Sequence, residues 1–209
     1  SRQTGTPHKN EVPAMAKILA IYGSPRRKGN TATLLDQAVE GAVSNGAEVE
    51  KVILRDCKIS PCLEIYGCKK DGRCVIQDDF QALYDKMLES QGLMLASPIF
   101  FYSVSALAKC LIDRCQSLWV KKYWIDKVSP GRWTATRKGM FISVGATQGK
   151  KLFDGPLLTV KYFFDVLDME LYRTVLFRGL DFEGDVLQHP EYLSAAREAG
   201  QDLARALSR

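Results

Sequence analysis

Histidine is scarce in this chain of 209 residues: there are two, His8 and His189. His8 lies in a polar N-terminal stretch and His189 at the start of the last expected helix. Neither is placed to act as a general base, so imidazole-dependent acid–base chemistry is not expected. Long apolar runs are lacking too, and none reaches the roughly 20 residues of a membrane-spanning helix. Ser1 to Ala14 is polar, without the apolar core of a signal peptide. The expectation is a cytoplasmic chain with reduced thiols, whose six cysteines are not a disulfide framework. Nucleotide signatures are missing: the nearest approach to a Walker loop, Gly23 to Gly29, is followed by Asn30, and no Gly-x-Gly-x-x-Gly occurs. The absence of a Cys-x5-Arg loop removes tyrosine-phosphatase chemistry. There is no repeat and no low-complexity tract. Charge of one sign is not concentrated either. The net charge is +5, and apart from Arg26-Arg27-Lys28 and Lys121-Lys122 the basic residues are dispersed. Anionic small molecules are the expected partners; nucleic acid and membranes are not.

What is present begins with Gly23-Ser24-Pro25-Arg26-Arg27-Lys28-Gly29-Asn30-Thr31. The apolar run Ile18 to Tyr22 before it reads as a buried parallel strand. Leu34, Leu35, Ala38, Val39, Ala42 and Val43 after it fall on one helical stripe. A polar, basic loop between a strand and a helix N-terminus suits a phosphate, because the first helical N–H groups lack partners and the macrodipole favours negative charge. Ser24, Arg26, Asn30 and Thr31 add side-chain donors, and Ala32 lies in the same first turn.

Strand and helix then alternate. Strands are expected at Glu48–Leu54, Leu93–Ala96, Met140–Val144 and Leu171–Phe177. Helices are expected from Asp78-Asp79 onward, from Ser105 to about Val120, over Leu157–Leu167, and over Pro190–Leu207. Five such units predict an α/β fold, a doubly wound five-stranded parallel sheet of order 2-1-3-4-5 with helices on both faces. Residues 16–209 form one domain, preceded by an extension over 1–15. That extension is either an arm that reaches across a subunit interface or an appended tail, with Met15 the natural start.

Two further loops follow strand ends. Ser97-Pro98-Ile99-Phe100-Phe101-Tyr102-Ser103-Val104-Ser105 leads into Leu107-Ala108-Lys109-Cys110-Leu111-Ile112-Asp113-Arg114, and Ser143-Val144-Gly145-Ala146-Thr147-Gln148-Gly149 follows the fourth strand. In this order the three motifs resemble the flavodoxin-like NADPH-dependent FMN reductases. Those proteins carry Gly-Ser-Pro-Arg-x-x-Gly-Asn-Thr, then Ser/Thr-Pro-x-Tyr-x-x-x-x-Ser/Pro with Leu-Lys-x-x-x-Asp-Arg, then a Gly-rich loop. Here Ala108 is one extra residue before the lysine, and Phe100 stands where tyrosine is usual. The resemblance implies FMN, its phosphate held by Ser24, Arg26, Asn30, Thr31 and Ala32. Its ring would lie against Pro98, Ile99, Phe100, Phe101, Ser103, Ala146 and Thr147. It also implies NAD(P)H as reductant and a quinone, flavin, metal or other small acceptor. No catalytic side chain is required, because hydride chemistry belongs to the cofactor. The alternative is a non-catalytic FMN electron carrier docking to a redox partner; such carriers are usually strongly acidic, and this chain is mildly basic.

The iron–sulfur flavoprotein branch of that family carries Cys-x2-Cys-x2-Cys-x5-Cys before an Asp-Asp pair. This chain has Cys62, Cys68 and Cys74 before Asp78-Asp79, with Ile65 at the second position. A four-iron cluster wants four thiolates, so [4Fe-4S] is not expected. If one is present, its ligands are Cys62, Cys68 and Cys74, with Cys57 the candidate fourth. Zinc on the same four lacks the usual knuckle spacing. Cys110 and Cys115 are expected as buried filler in their helix. The aromatic segment from Trp119 to Trp133 either lines the pocket above the flavin or packs against another subunit of a homodimer or homotetramer.

Overall fold

The computed structural model describes residues 15–129 and 136–208. The extension through Ala14, His8 and Trp133 lie outside them. Five parallel strands form the sheet: β1 (Lys17–Tyr22), β2 (Glu48–Ile53), β3 (Gly92–Ala96), β6 (Lys138–Gly145) and β7 (Glu170–Arg178). Their order is β2-β1-β3-β6-β7, the expected 2-1-3-4-5 once the short antiparallel hairpin of β4 (Ile99–Phe100) and β5 (Ser103–Val104) is set aside. Helices α1 (Asn30–Val43) and α6 (Pro190–Leu207) cover one face. Helices α2 (Phe80–Glu89), α3 (Ala106–Arg114) and α5 (Asp154–Val166) cover the other.

The central strands are apolar on both faces because both are covered. Ile18, Ala20, Met94 and Ile142 meet α1 and α6, while Leu19, Ile21, Leu95 and Phe141 meet α2, α3 and α5. Helices α1 and α6 touch backbone to backbone. A Cβ on Gly200 would lie 1.9 Å from Ala38 O, and one on Gly41 2.1 Å from Arg197 O, so only glycine fits the crossing.

The largest departure from expectation lies after α3. The apolar spacing predicts one helix to about Val120; the chain instead breaks at Cys115 and resumes as α4 (Gln116–Trp119) and a π-helical turn (Val120–Ile125). Ser117 Oγ donates to Arg114 O (3.1 Å), and Cys115 N–H is shared between Leu111 O and Ile112 O, which re-satisfies the broken ladder. The first half of the aromatic segment is therefore helical. Lys122 Nζ anchors it by donating to Asp165 O (2.6 Å). Cys115 is buried as expected, and burial pushes its thiol far up; Cys110 is only half-buried.

Candidate functional site

Three loops converge at the carboxyl ends of β1, β3 and β6, where the strand order reverses and ligands gather in open α/β sheets. Together they line one cleft. The β1–α1 loop forms its floor. Gly29 is the N-cap of α1 and brings no side-chain cap, so the N–H groups of the first turn keep no capping partner. The first intrahelical bond found there runs from Thr33 N to Gly29 O (3.0 Å). Ser24 Oγ accepts from Arg26 N (3.0 Å), which leaves the buried hydroxyl's own proton to donate.

Arg26 and Asn30 bind the loop after β7. Arg26 Nη1 donates to Asp181 O (2.9 Å) and Asn30 Nδ2 to Phe182 O (2.8 Å), while Val186 N–H donates to Asn30 Oδ1 (3.2 Å). Each side chain retains further N–H donors. Arg27 is turned away into a two-bond pair with Asp56 (2.8 and 2.5 Å).

Buried hydroxyls knit the strand ends together. Ser143 Oγ donates to Ser97 O (2.6 Å), Ser105 N–H to Ser97 Oγ (2.8 Å), and Ser105 Oγ to Gly23 O (2.5 Å). Ser105 also caps α3 by accepting from Ala108 N (3.2 Å). Loops after β1, β3 and β6 are thus one unit. Pro98, Ile99 and Phe100 form a wall of the cleft, and Ala146 faces them from the β6 loop.

Of the residues singled out, Ser24, Arg26, Asn30, Thr31, Pro98, Ile99, Phe100 and Ala146 line this cleft; Ala32, Phe101, Ser103 and Thr147 do not. Ala32 points its methyl into the core, so only its N–H can serve a ligand. Phe101 and Tyr102 are the two-residue tip of the β4–β5 hairpin, both left-handed (φ 49° and 56°), and Phe101 is fully exposed. Such a turn favours Asn-Gly; two aromatics there hold strain of the kind found at functional loops. Ser103 is on the returning strand, and Thr147 is exposed in the turn after β6. Leu180 and Asp181 line the cleft without having been foreseen. They belong to no motif, but they follow β7, and the rule that ligands sit at strand carboxyl ends reaches them.

The cysteine loop forms a second cavity, lined by Cys62, Cys68, Cys74 and Ile65 under Trp119 and Trp124. The two tryptophans meet edge to face (5.2 Å between centroids), and Lys69 Nζ lies 5.1 Å from the Trp124 ring. Burial pushes the Cys68 thiol up, and Cys74 and Cys62 add to this. A clamp ties the loop to α3. The Arg114 guanidinium, fully buried, donates to Asp78 Oδ2 (2.6 Å), Ser60 O (3.0 Å) and Ile76 O (3.2 Å). Asp78 also accepts from Ser60 N (2.9 Å) and Phe80 N (3.0 Å). Burial raises the Asp78 carboxyl, but Arg114 and those two N–H groups outweigh it and hold the group below the usual carboxylate range.

His189 stacks on Tyr192 (4.5 Å) and contacts Glu191 (3.1 Å), a structural placement.

Residues 16–154 match the family described as NADPH-dependent FMN reductase. The chain is 40% identical over 102 residues to an iron-sulfur flavoprotein of Methanocaldococcus jannaschii, a match covering 49% of this chain and 53% of that protein. It is 33% identical to an iron-sulfur flavoprotein of Archaeoglobus fulgidus over 68% of this chain and 69% of the relative. The match thus spans about half the length of the first relative. Among solved structures, an NAD(P)H:quinone oxidoreductase from Methanothermobacter marburgensis has the same fold, with a TM-score of 0.68, 16% identity, and coverage of 91% of this chain and 96% of that one.

Proposed function

The chain belongs to the NADPH-dependent FMN reductase family, and from that premise we propose that it is an FMN-dependent oxidoreductase that takes hydride from NAD(P)H and passes electrons to a small acceptor such as a quinone, a free flavin or a metal ion. The observation that carries this reading is the convergence of three loops on one cleft whose floor is the uncapped N-terminus of α1. The residues present fit the cofactor. The first-turn N–H groups, the Ser24 hydroxyl, Thr31 and the remaining donors of Arg26 and Asn30 would hold its phosphate. Pro98, Ile99, Phe100, Gly145 and Ala146, which line the same cleft, would pack against its ring. FMN supplies the hydride-accepting ring. The protein's part is to bind and orient it and to leave one face open for nicotinamide, for which no acid–base side chain is needed.

Anaerobic addition of NADPH or NADH to the FMN-loaded protein is expected to bleach the flavin, and a quinone or free flavin to restore its colour. Bleaching by dithionite alone would favour a non-catalytic electron carrier.

Phe100 of the cleft wall is exposed together with its neighbours Phe101 and Tyr102, and Phe182, next to the cleft residue Asp181, is exposed as well. A patch of that kind calls for a covering surface, and a second copy of the chain, related by twofold symmetry, is the simplest one. This exposed tip stands beside the aromatic segment as a motive for assembly; of that segment, Trp119 and Trp124 line the cysteine cavity, with Trp124 half exposed. Light scattering at micromolar concentration is expected to show at least a dimer; a monomer would contradict the reading.

A further inference from the structure

We propose that the cysteine loop of this chain does not fit a four-iron cluster, in departure from the iron-sulfur name its relatives bear. The proposal stands independently of the flavin reading above.

A four-iron cluster is held by four thiolates. Cys62, Cys68 and Cys74 face one cavity, and the wall position between the first two is Ile65, which has no lone pair to offer. Cys57 does not fill the gap. It lies outside the cavity lining, and its thiol donates to Ile53 O (3.5 Å). The chain between Cys57 and Cys62 is also pinned: Lys58 N–H donates to Asp79 Oδ2 (2.6 Å) and Ser60 N–H to Asp78 Oδ2 (2.9 Å). Bringing Cys57 into the cavity would break both bonds. Among the described residues no three His, Cys, Asp or Glu side chains stand at metal-holding spacing.

The loop keeps its shape by other means. A metal-dependent loop draws folding energy from its metal. Here Arg114 and Asp78 fasten its two ends to each other and to α3, while Trp119 and Trp124 roof it.

The test begins with iron and sulfide analysis of the full chain purified without oxygen. Expected is iron far below one atom per chain; about four irons per chain would overturn the proposal. Ile65→Cys, treated anaerobically with ferrous iron and sulfide, is expected to take up a cluster detectable by electron paramagnetic resonance after reduction, while wild type treated alike does not. If Ile65→Cys folds normally by circular dichroism and gains no cluster, Ile65 is not the reason. A protein that ignores FMN would sink the flavin reading yet leave the iron result standing, so the two failures are distinguishable.

Discussion

Arg114→Ala is expected to destabilise the protein by about 3–5 kcal/mol, the usual cost of breaking a buried ion pair from one side. The substitution leaves the Asp78 carboxylate buried beside apolar α3 and frees the carbonyls of Ser60 and Ile76 from their shared donor. The measurement is urea unfolding followed by circular dichroism, with the midpoint moving and the slope unchanged. A loss under about 1 kcal/mol, the range of a surface pair, would show the clamp to be incidental. The pH dependence has a definite sign. The Asp78 carboxyl is held below its ordinary value in the folded state, so its contribution is fully present above the unfolded value of about 3.9. It is lost as pH falls through the lower folded value. The stability gap between wild type and Asp78→Asn should therefore be constant from neutral pH down to about pH 5 and close only in stronger acid.

That clamp also marks the limit of what could be read from the chain. Asp78 and Asp79 were legible as the opening of α2, and Arg114 as the end of a motif on α3. Nothing in their spacing said that Asp78 and Arg114 meet. Their contact is shared with a loop of irregular backbone, with Glu64 and Tyr66 in left-handed conformations, whose Ser60 and Ile76 carbonyls accept from the same guanidinium. Strands β1, β3 and β6 were legible because burial on both faces leaves unbroken apolar runs. The π-helical turn at Val120–Ile125 was not, since it departs from the 3.6-residue period by one residue. The phosphate loop was legible because Ser24, Arg26, Asn30 and Thr31 are contiguous with a strand and a helix start. Asn30 illustrates the remainder. Its amide was expected only as a phosphate donor, yet it bridges to Phe182 and Val186 more than 150 residues away, and so sets the far wall of the cleft. Leu180 and Asp181 enter the cleft through that bridge, a tertiary effect with no local signature.

The second large effect is expected at Arg26. Its guanidinium stands at the cleft with one N–H on Asp181 O and others directed by the same fork. A charge-assisted hydrogen bond to a phosphate contributes about 1.5–3 kcal/mol, so Arg26→Ala is expected to weaken FMN by about 10- to 150-fold, measured by flavin fluorescence titration. Arg27→Ala is the informative control. Arg27 is adjacent in sequence and carries the same charge, but both its terminal nitrogens are committed to Asp56. Its loss changes only the exposed field around the cleft, which salt screens over about 10 Å. FMN affinity should therefore fall less than about three-fold, and that small effect should vanish at high ionic strength. Equal weakening by the two substitutions, abolished alike by salt, would mean that the loop attracts the phosphate as a diffuse basic patch. A large effect at Arg26 that persists in high salt, beside a small one at Arg27 that does not, requires a directed contact, because only a short hydrogen-bonded pair escapes screening.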